Sequence, residues 1–297
     1  MKKILLPVLS CILVWSASAG FTMELSTKSE ILSDQYSRIN FTLLNSGDEA
    51  AYNVILEPLL PEGFNSDILY MRVLPSNMPF NGSFVINISP NAPVGKFPTP
   101  LMLHYTDLNS YPFSVLFPES VNHVNGSSSN VFMSLPMVDI TGTAPTGFNL
   151  RVFNQDSKSH NVSIRLFIPK ELGSDLTLMV VEIQPKSSVT LEKSIWSSSA
   201  LYDSDYLLLG SASYSEDGVM HSSLSYGRAQ IVRPAYLSLE DDIFKNSQWF
   251  VLLLILLSIV FIVYFSIKRR MVVGNEQEEK PKKIGRQHKI KGKIRPH

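Results

Sequence analysis

The sequence predicts an all-β protein, with two tandem immunoglobulin-like β-sandwiches followed by one C-terminal transmembrane helix. Three observations carry that prediction. Apolar residues alternate with polar ones at period two through most of the chain; a strand-rich unit recurs about 109 residues later; and residues 249–267 (WFVLLLILLSIVFIVYFSI) contain no charge.

Residues 1–19 read as a signal peptide, with Lys2 and Lys3, an apolar run, and Ala17-Ser18-Ala19 as a small-residue cleavage site between Ala19 and Gly20. The sole cysteine, Cys11, falls inside this segment. The mature chain is therefore expected to hold neither a disulfide nor a thiol nucleophile.

The first sandwich is assigned to residues 20–121. Ile39, Phe41 and Leu43 alternate with Arg38, Asn40 and Thr42, which puts one face of a strand on a core. Asn45-Ser46-Gly47-Asp48 turns the chain into a second strand, read with Tyr52, Val54 and Leu56 inward. Phe84, Ile86 and Ile88 mark a further strand. Leu101, Leu103 and Tyr105 lead through Asp107-Leu108-Asn109 into a hairpin closed by residues 111–117. Residues 122–130 (NHVNGSSSN) are polar and Gly/Ser-rich, as linkers are.

The second sandwich, residues 131–234, repeats the first. Residues 149–169 lie over 40–61, with Asn154 on Asn45, Asn161-Val162 on Asn53-Val54, and Pro169 on Pro61. The offset falls from 109 to 108 within this stretch, which predicts a turn one residue shorter in the second copy. Its last hairpin is expected to turn at Glu216-Asp217-Gly218.

Residues 235–248 form an acidic juxtamembrane segment. At about 1.5 Å per residue, the run 249–267 reaches across the roughly 30 Å of a bilayer core. Lys268, Arg269 and Arg270 follow at once, and such a cluster is retained in the cytoplasm. The expected topology is single-pass type I in the cell membrane, with a basic tail over 268–297 inside. These three cations are placed to meet anionic lipid headgroups.

Charge agrees with this division. Residues 20–248 hold 13 Lys and Arg against 23 Asp and Glu, whereas the tail holds 11 against 3. An acidic exterior excludes nucleic acid as its partner, because phosphate binding requires clustered cations. Expected partners are the membrane and other surface or membrane proteins.

Five N-x-Ser/Thr sequons stand in the outer part, at Asn40, Asn81, Asn87, Asn125 and Asn161, and are candidate glycosylation sites. Catalytic signals are lacking: there is no G-x-S-x-G elbow, and His104, His123, His160 and His221 stand singly without H-E-x-x-H spacing. No enzyme activity and no cofactor are expected. Asp203 and Asp205 are the candidate oxygen ligands for a metal such as calcium.

The unit Asn45-Ser46-Gly47-Asp48, Tyr52-Asn53-Val54, Pro61-Glu62-Gly63, Asn91-Ala92-Pro93-Val94-Gly95 and Tyr105-Thr106-Asp107 resembles the immunoglobulin-like repeats of archaeal S-layer-type membrane proteins. It is similar also to CARDB-type adhesion modules. The resemblance implies a surface β-sandwich without catalytic residues, serving in binding or structure. In layout the chain also resembles translocon-associated proteins, which implies an alternative role as an accessory subunit of a translocon, exporter or glycosylation complex.

Overall fold

The computed structural model describes residues 22–124, 128–234, 253–265 and 268 of the chain. Its first nine strands are β1 (Met23–Ser33), β2 (Tyr36–Asn45), β3 (Ala51–Pro58), β4 (Phe64–Asn65), β5 (Leu69–Leu74), β6 (Phe80–Ile88), β7 (Val94–Pro98), β8 (Leu101–Thr106) and β9 (Pro112–Phe117). They are followed by β10 (Ser120–His123), β11 (Val131–Ser134), β12 (Met137–Thr141), β13 (Thr146–Asn154), β14 (His160–Phe167) and β15 (Leu172–Ser174). The last four are β16 (Leu178–Ile183), β17 (Ser188–Ser197), β18 (Asp205–Glu216) and β19 (Val219–Val232). The all-β expectation is borne out.

Two four-stranded sheets, ordered β1-β2-β6-β4 and β5-β3-β8-β9, enclose the first core. That neighbour order is the immunoglobulin-like one, with strands A-B-E-D in one layer and C, F and G in the other. The order recurs: β11-β13-β17-β15 repeats the first sheet, and β16-β14-β18-β19 repeats the second. Period-two alternation explains why these segments are strands. On β2 and β6, Ile39, Phe41, Leu43, Phe84, Ile86 and Ile88 face inward and meet Leu56 and Leu103 from the opposite sheet. Leu150, Val152, Ile164 and Leu208 form the corresponding second core.

Leu103 and Leu150 are both fully buried, and the two clusters have no member in common. Leu103→Ala and Leu150→Ala are each expected to cost about 2–5 kcal/mol, and their penalties should add in the double variant. Urea denaturation of the three variants checks this.

Both hairpins read from the sequence are present. Asp107 accepts the Tyr111 amide at 2.7 Å inside the β8–β9 turn. The β18–β19 turn uses Asp217 and Gly218, both at positive φ (51° and 77°), as a two-residue turn with the twist of its strands requires.

Two details differ from the sequence reading. The turns are equally long in the two copies: Asn45 bonds the carbonyl four residues on, Glu49, and Asn154 likewise bonds Lys158. The extra residue of the first copy is a β-bulge at Asn53 (φ 50°), where the β3–β8 register shifts between Tyr52 and Ile55. Ala51 therefore takes the inward place assigned to Tyr52, which is half-buried. Secondly, Asn122 and His123 belong to β10 and not to a linker. His123 is buried, with Nδ1 and Nε2 each 2.8 Å from a carbonyl, those of Pro93 and Asp34, and polar bonding anchors it where an apolar side chain would otherwise be needed.

The cores are joined by a seam. Strand β7 pairs in parallel with the start of β19, Val94 with Val219 and Gly95 with Met220, which links β10 and β7 of the first half to the second-half sheet. Ser222 adds a hydrogen bond to the Lys96 carbonyl at 2.7 Å. Beside it, Met102, Leu116, Phe167 and Leu209 make a small third cluster. There the Ser114 hydroxyl donates to the buried Glu171 carboxylate, and the Lys170 amide donates to that hydroxyl at 2.8 Å. Burial and the Glu171 charge push the Tyr105 phenol above its ordinary range.

Residues 235–297 form a separate unit, of which 253–265 are helical and Lys268 is described. The helix exposes apolar side chains such as Leu256, Phe261 and Ile262. Among the described residues no helix is long and apolar enough to cross a membrane. The remaining parts of the run expected to span, 249–252 and 266–267, lie outside the described residues, as do Arg269, Arg270, Ala19 and Gly20.

Candidate functional site

Among the described residues, a group of three metal-ligand-type side chains lies at the end of the second core. Its frame is Asn154, which is 2% exposed and closes β13. The two Nδ2 hydrogens are shared among the carbonyls of Lys158 (2.7 Å), Ile183 (3.1 Å) and Gln184 (3.2 Å), and Oδ1 accepts the Asp156 amide at 2.8 Å. One buried amide thus fixes the 154–160 loop and aims Asp156. In the first core Asn45, fully buried, repeats the pattern with the Glu49 and Leu74 carbonyls and the Gly47 amide. The corresponding partners stand at the same distances along the chain.

His160 opens β14 opposite Ile183, with its side chain 5% exposed. Its Nε2 lies 3.0 Å from Asp156 Oδ2. Glu216, at the end of β18, completes a group in which one ligand atom from each of Asp156, His160 and Glu216 lies within 4.8 Å of the others. Lys158 is ion-paired to Glu216 from outside, and that contact raises the lysine pKa. The hydrogen bond from His160, aided by the Ser157 amide and Asn130, holds the Asp156 carboxyl down to about 2. It is a carboxylate across the physiological range.

Tyr214, largely buried, lies between two imidazoles. Its ring centroid is 4.1 Å from that of His160 and 5.0 Å from that of His221, the latter pair stacked within 9°. Burial raises the Tyr214 pKa, so the phenol stays neutral, and its oxygen accepts the Asn130 amide at 3.3 Å.

The candidates named from sequence are placed elsewhere. Asp205 forks onto Arg228, with Oδ1 at 2.9 Å from Nε, and Asp203 pairs with Arg233 at 3.1 Å. Arginine supplies their countercharge, and the group of three ligand-type side chains found among the described residues does not include them. His104 sits on the outer side of β8, 2.9 Å from Glu57.

Asn81, Asn87 and Asn161 are exposed on strands, and Asn40 is half-buried, 3.2 Å from Glu30. The first two sequons interlock across β2–β6: Asn40 faces Ser83, Thr42 faces Asn81, and the Thr42 hydroxyl donates to Asn81 Oδ1 at 2.6 Å. Asn125 lies outside the described residues.

The Asp156–His160–Glu216 group escapes a search for local motifs because Glu216 stands far along the chain. Only the pairing of β14 with β18 brings it together. At the equivalent positions the first copy carries Gly47, Ala51, Asp107 and Phe113 where the second carries Asp156, His160, Glu216 and His221. Tyr105, stacked on Phe113 at 5.3 Å, matches Tyr214 on His221.

No family model matches the chain, and no curated protein matches it in sequence. Solved structures do. Trypsin-activated α2-macroglobulin from Escherichia coli is similar over 72% of this chain and 18% of its own length, at 12% identity and a TM-score of 0.31. PapD-like domain 7 of human CEP192 is similar over 36% and 88%, at 8% identity and 0.28. A protein of unknown function from Porphyromonas gingivalis W83 is similar over 70% and 99%, at 13% identity and 0.27. The chain spans less than a fifth of the α2-macroglobulins it matches. At such scores the likenesses carry no functional argument, and the immunoglobulin-like assignment rests on the strand order.

Proposed function

We propose that this chain is a single-pass type I membrane protein whose exterior, two tandem immunoglobulin-like sandwiches, serves as a non-catalytic binding or structural component of the cell surface. The observation that carries the proposal is the recurrence of one sheet order together with one buried asparagine lock, which is how a duplicated module is built. The uncharged run 249–267, the Lys268-Arg269-Arg270 cluster after it and the opposite charges on its two sides support the anchor and its direction. Exposed sequon asparagines on strand faces suit a glycosylated exterior. The resemblance to S-layer-type repeats and CARDB modules fits the same role.

Protease added to intact cells tests the topology. Digestion of the 200-odd residues of the exterior with survival of a short basic fragment is expected; survival of the exterior with loss of the lysine-rich end overturns it.

A second reading, as an accessory subunit of a membrane complex, is favoured by the sheet edges. Strands β5 and β16 occupy equivalent ends of their sheets, with Tyr70 and Val180 exposed by 62% and 65%. Open edges with apolar side chains invite a partner strand. Purification in mild detergent with quantified co-purifying proteins decides: stoichiometric polytopic partners establish this reading, and their absence removes it.

A further inference from the structure

The end of the first core is apolar and that of the second is ligand-rich, although the same asparagine lock builds both. Where Ala51 packs into the first core, His160 is buried in the second; where Gly47 leaves the loop bare, Asp156 supplies a carboxylate to that imidazole. The acidic residue at the strand end is kept, as Asp107 and Glu216, and the stacked aromatic Phe113 becomes His221. A mere structural replacement for an alanine would be another apolar side chain. Burying an imidazole and giving it two carboxylate neighbours assembles a set of donors.

We propose that Asp156, His160 and Glu216 bind one zinc-class divalent metal ion, with water completing the coordination and Lys158 leaving Glu216 as the ion enters. Three observations support the geometry. All three donor atoms fall within 4.8 Å of one another. Tetrahedral ligands at zinc distances stand roughly 3.3 Å apart, so the His160–Asp156 separation of 3.0 Å is already near it. Glu216 closes the remainder by side-chain rotation, since it is partly open to solvent and ends a strand.

The competing cation is weakly held. The Lys158 side chain is 63% exposed, and ion pairs that face water contribute little. A divalent ion brings twice the charge to two carboxylates, with Asp217 also adjacent in the turn. Metal identity follows from the donor types. Calcium takes six to eight oxygens, whereas one imidazole and two carboxylates suit zinc or a first-row ion of similar preference. His160 is oriented for the task by its packing on Tyr214, and the Asn154 lock holds the loop that carries Asp156.

The test uses the full chain in detergent, stripped with chelator and titrated with Zn2+ by calorimetry and with Co2+ by visible absorption. Wild type should bind one more ion per chain than Asp156→Asn or Glu216→Gln, and His160→Ala should weaken the same site by at least about a hundredfold. Tail histidines His288 and His297 contribute equally in every variant, so the difference between proteins is the readout. Asp107→Asn, in the first copy, should leave binding intact. Zinc should raise the thermal midpoint of wild type and leave the Asp156→Asn and Glu216→Gln proteins unmoved. Asp156 and Glu216 are partly exposed, in a loop and at a strand end, and both substitutions keep the side-chain shape, so these variants keep the test valid if His160→Ala fails to fold. Equal binding by wild type, Asp156→Asn and Glu216→Gln overturns the proposal, as does binding lost equally in Asp107→Asn.

Discussion

Replacing Asn154 by alanine is expected to destabilise the second core by about 3–5 kcal/mol, since each buried polar group left unmet costs roughly 1–3 kcal/mol. The side chain serves three carbonyls and one amide from a site with almost no access to water. Alanine cannot answer any of them, and the space it leaves is too polar to collapse. Asn154→Asp keeps the acceptor for the Asp156 amide but turns oxygen toward the carbonyls of Lys158, Ile183 and Gln184. It should therefore be at least as damaging. Asn45→Ala should cost less, about 2–3 kcal/mol, because its second carbonyl contact, to Leu74, is long at 3.5 Å. Urea midpoints of the three variants check the ranking. A loss under about 1 kcal/mol for Asn154→Ala would mean that the loop finds other partners and that the asparagine is not the lock described above.

Gly95→Ala should part the seam between the cores. Gly95 has φ of +133°, a conformation L side chains rarely adopt, and a β-carbon there would stand 2.1 Å from the Met220 carbonyl oxygen and 2.7 Å from its amide nitrogen. Backbone atoms cannot swing aside as a side-chain tip can, so β7 and β19 must separate. Strain and lost pairing together should cost about 3 kcal/mol or more. Hydrogen exchange should accelerate around Val219 and Met220 while the Leu208–Gly227 part of the hairpin stays protected. Unchanged exchange at the seam would show that the backbone adapts locally and that the pairing is not tight.

Those two positions also mark what the sequence makes legible. Asn45 and Asn154 correspond in the sequence because the two halves share their turn residues and their alternation. The β8–β9 and β18–β19 hairpins followed from turn chemistry next to period-two strands. By contrast, the seam joins Gly95 to Met220, and nothing local in either segment announces a parallel pairing across that span. The bulge at Asn53 was hidden because Tyr52 and Ala51 are both plausible inward residues, and only the register against β8 separates them. The metal-ligand group was hidden for a third reason. Asp156 in the loop and His160 at the start of β14 are four residues apart, but Glu216 reaches them only because β14 and β18 pair, and local spacing rules do not see across a sheet.

Strand β12 runs parallel to β19 over five residue pairs, from Met137 with Arg228 to Thr141 with Val232. Tension drawn between a partner gripping the distal half and an attachment beyond Pro234 would pull these strands in opposite directions along their shared axis. Every bond of the pair would then bear load together in shear, whereas a hairpin pulled at its open end unzips one bond at a time. In a chain anchored beyond Pro234 as proposed, β19 would therefore carry that load in shear.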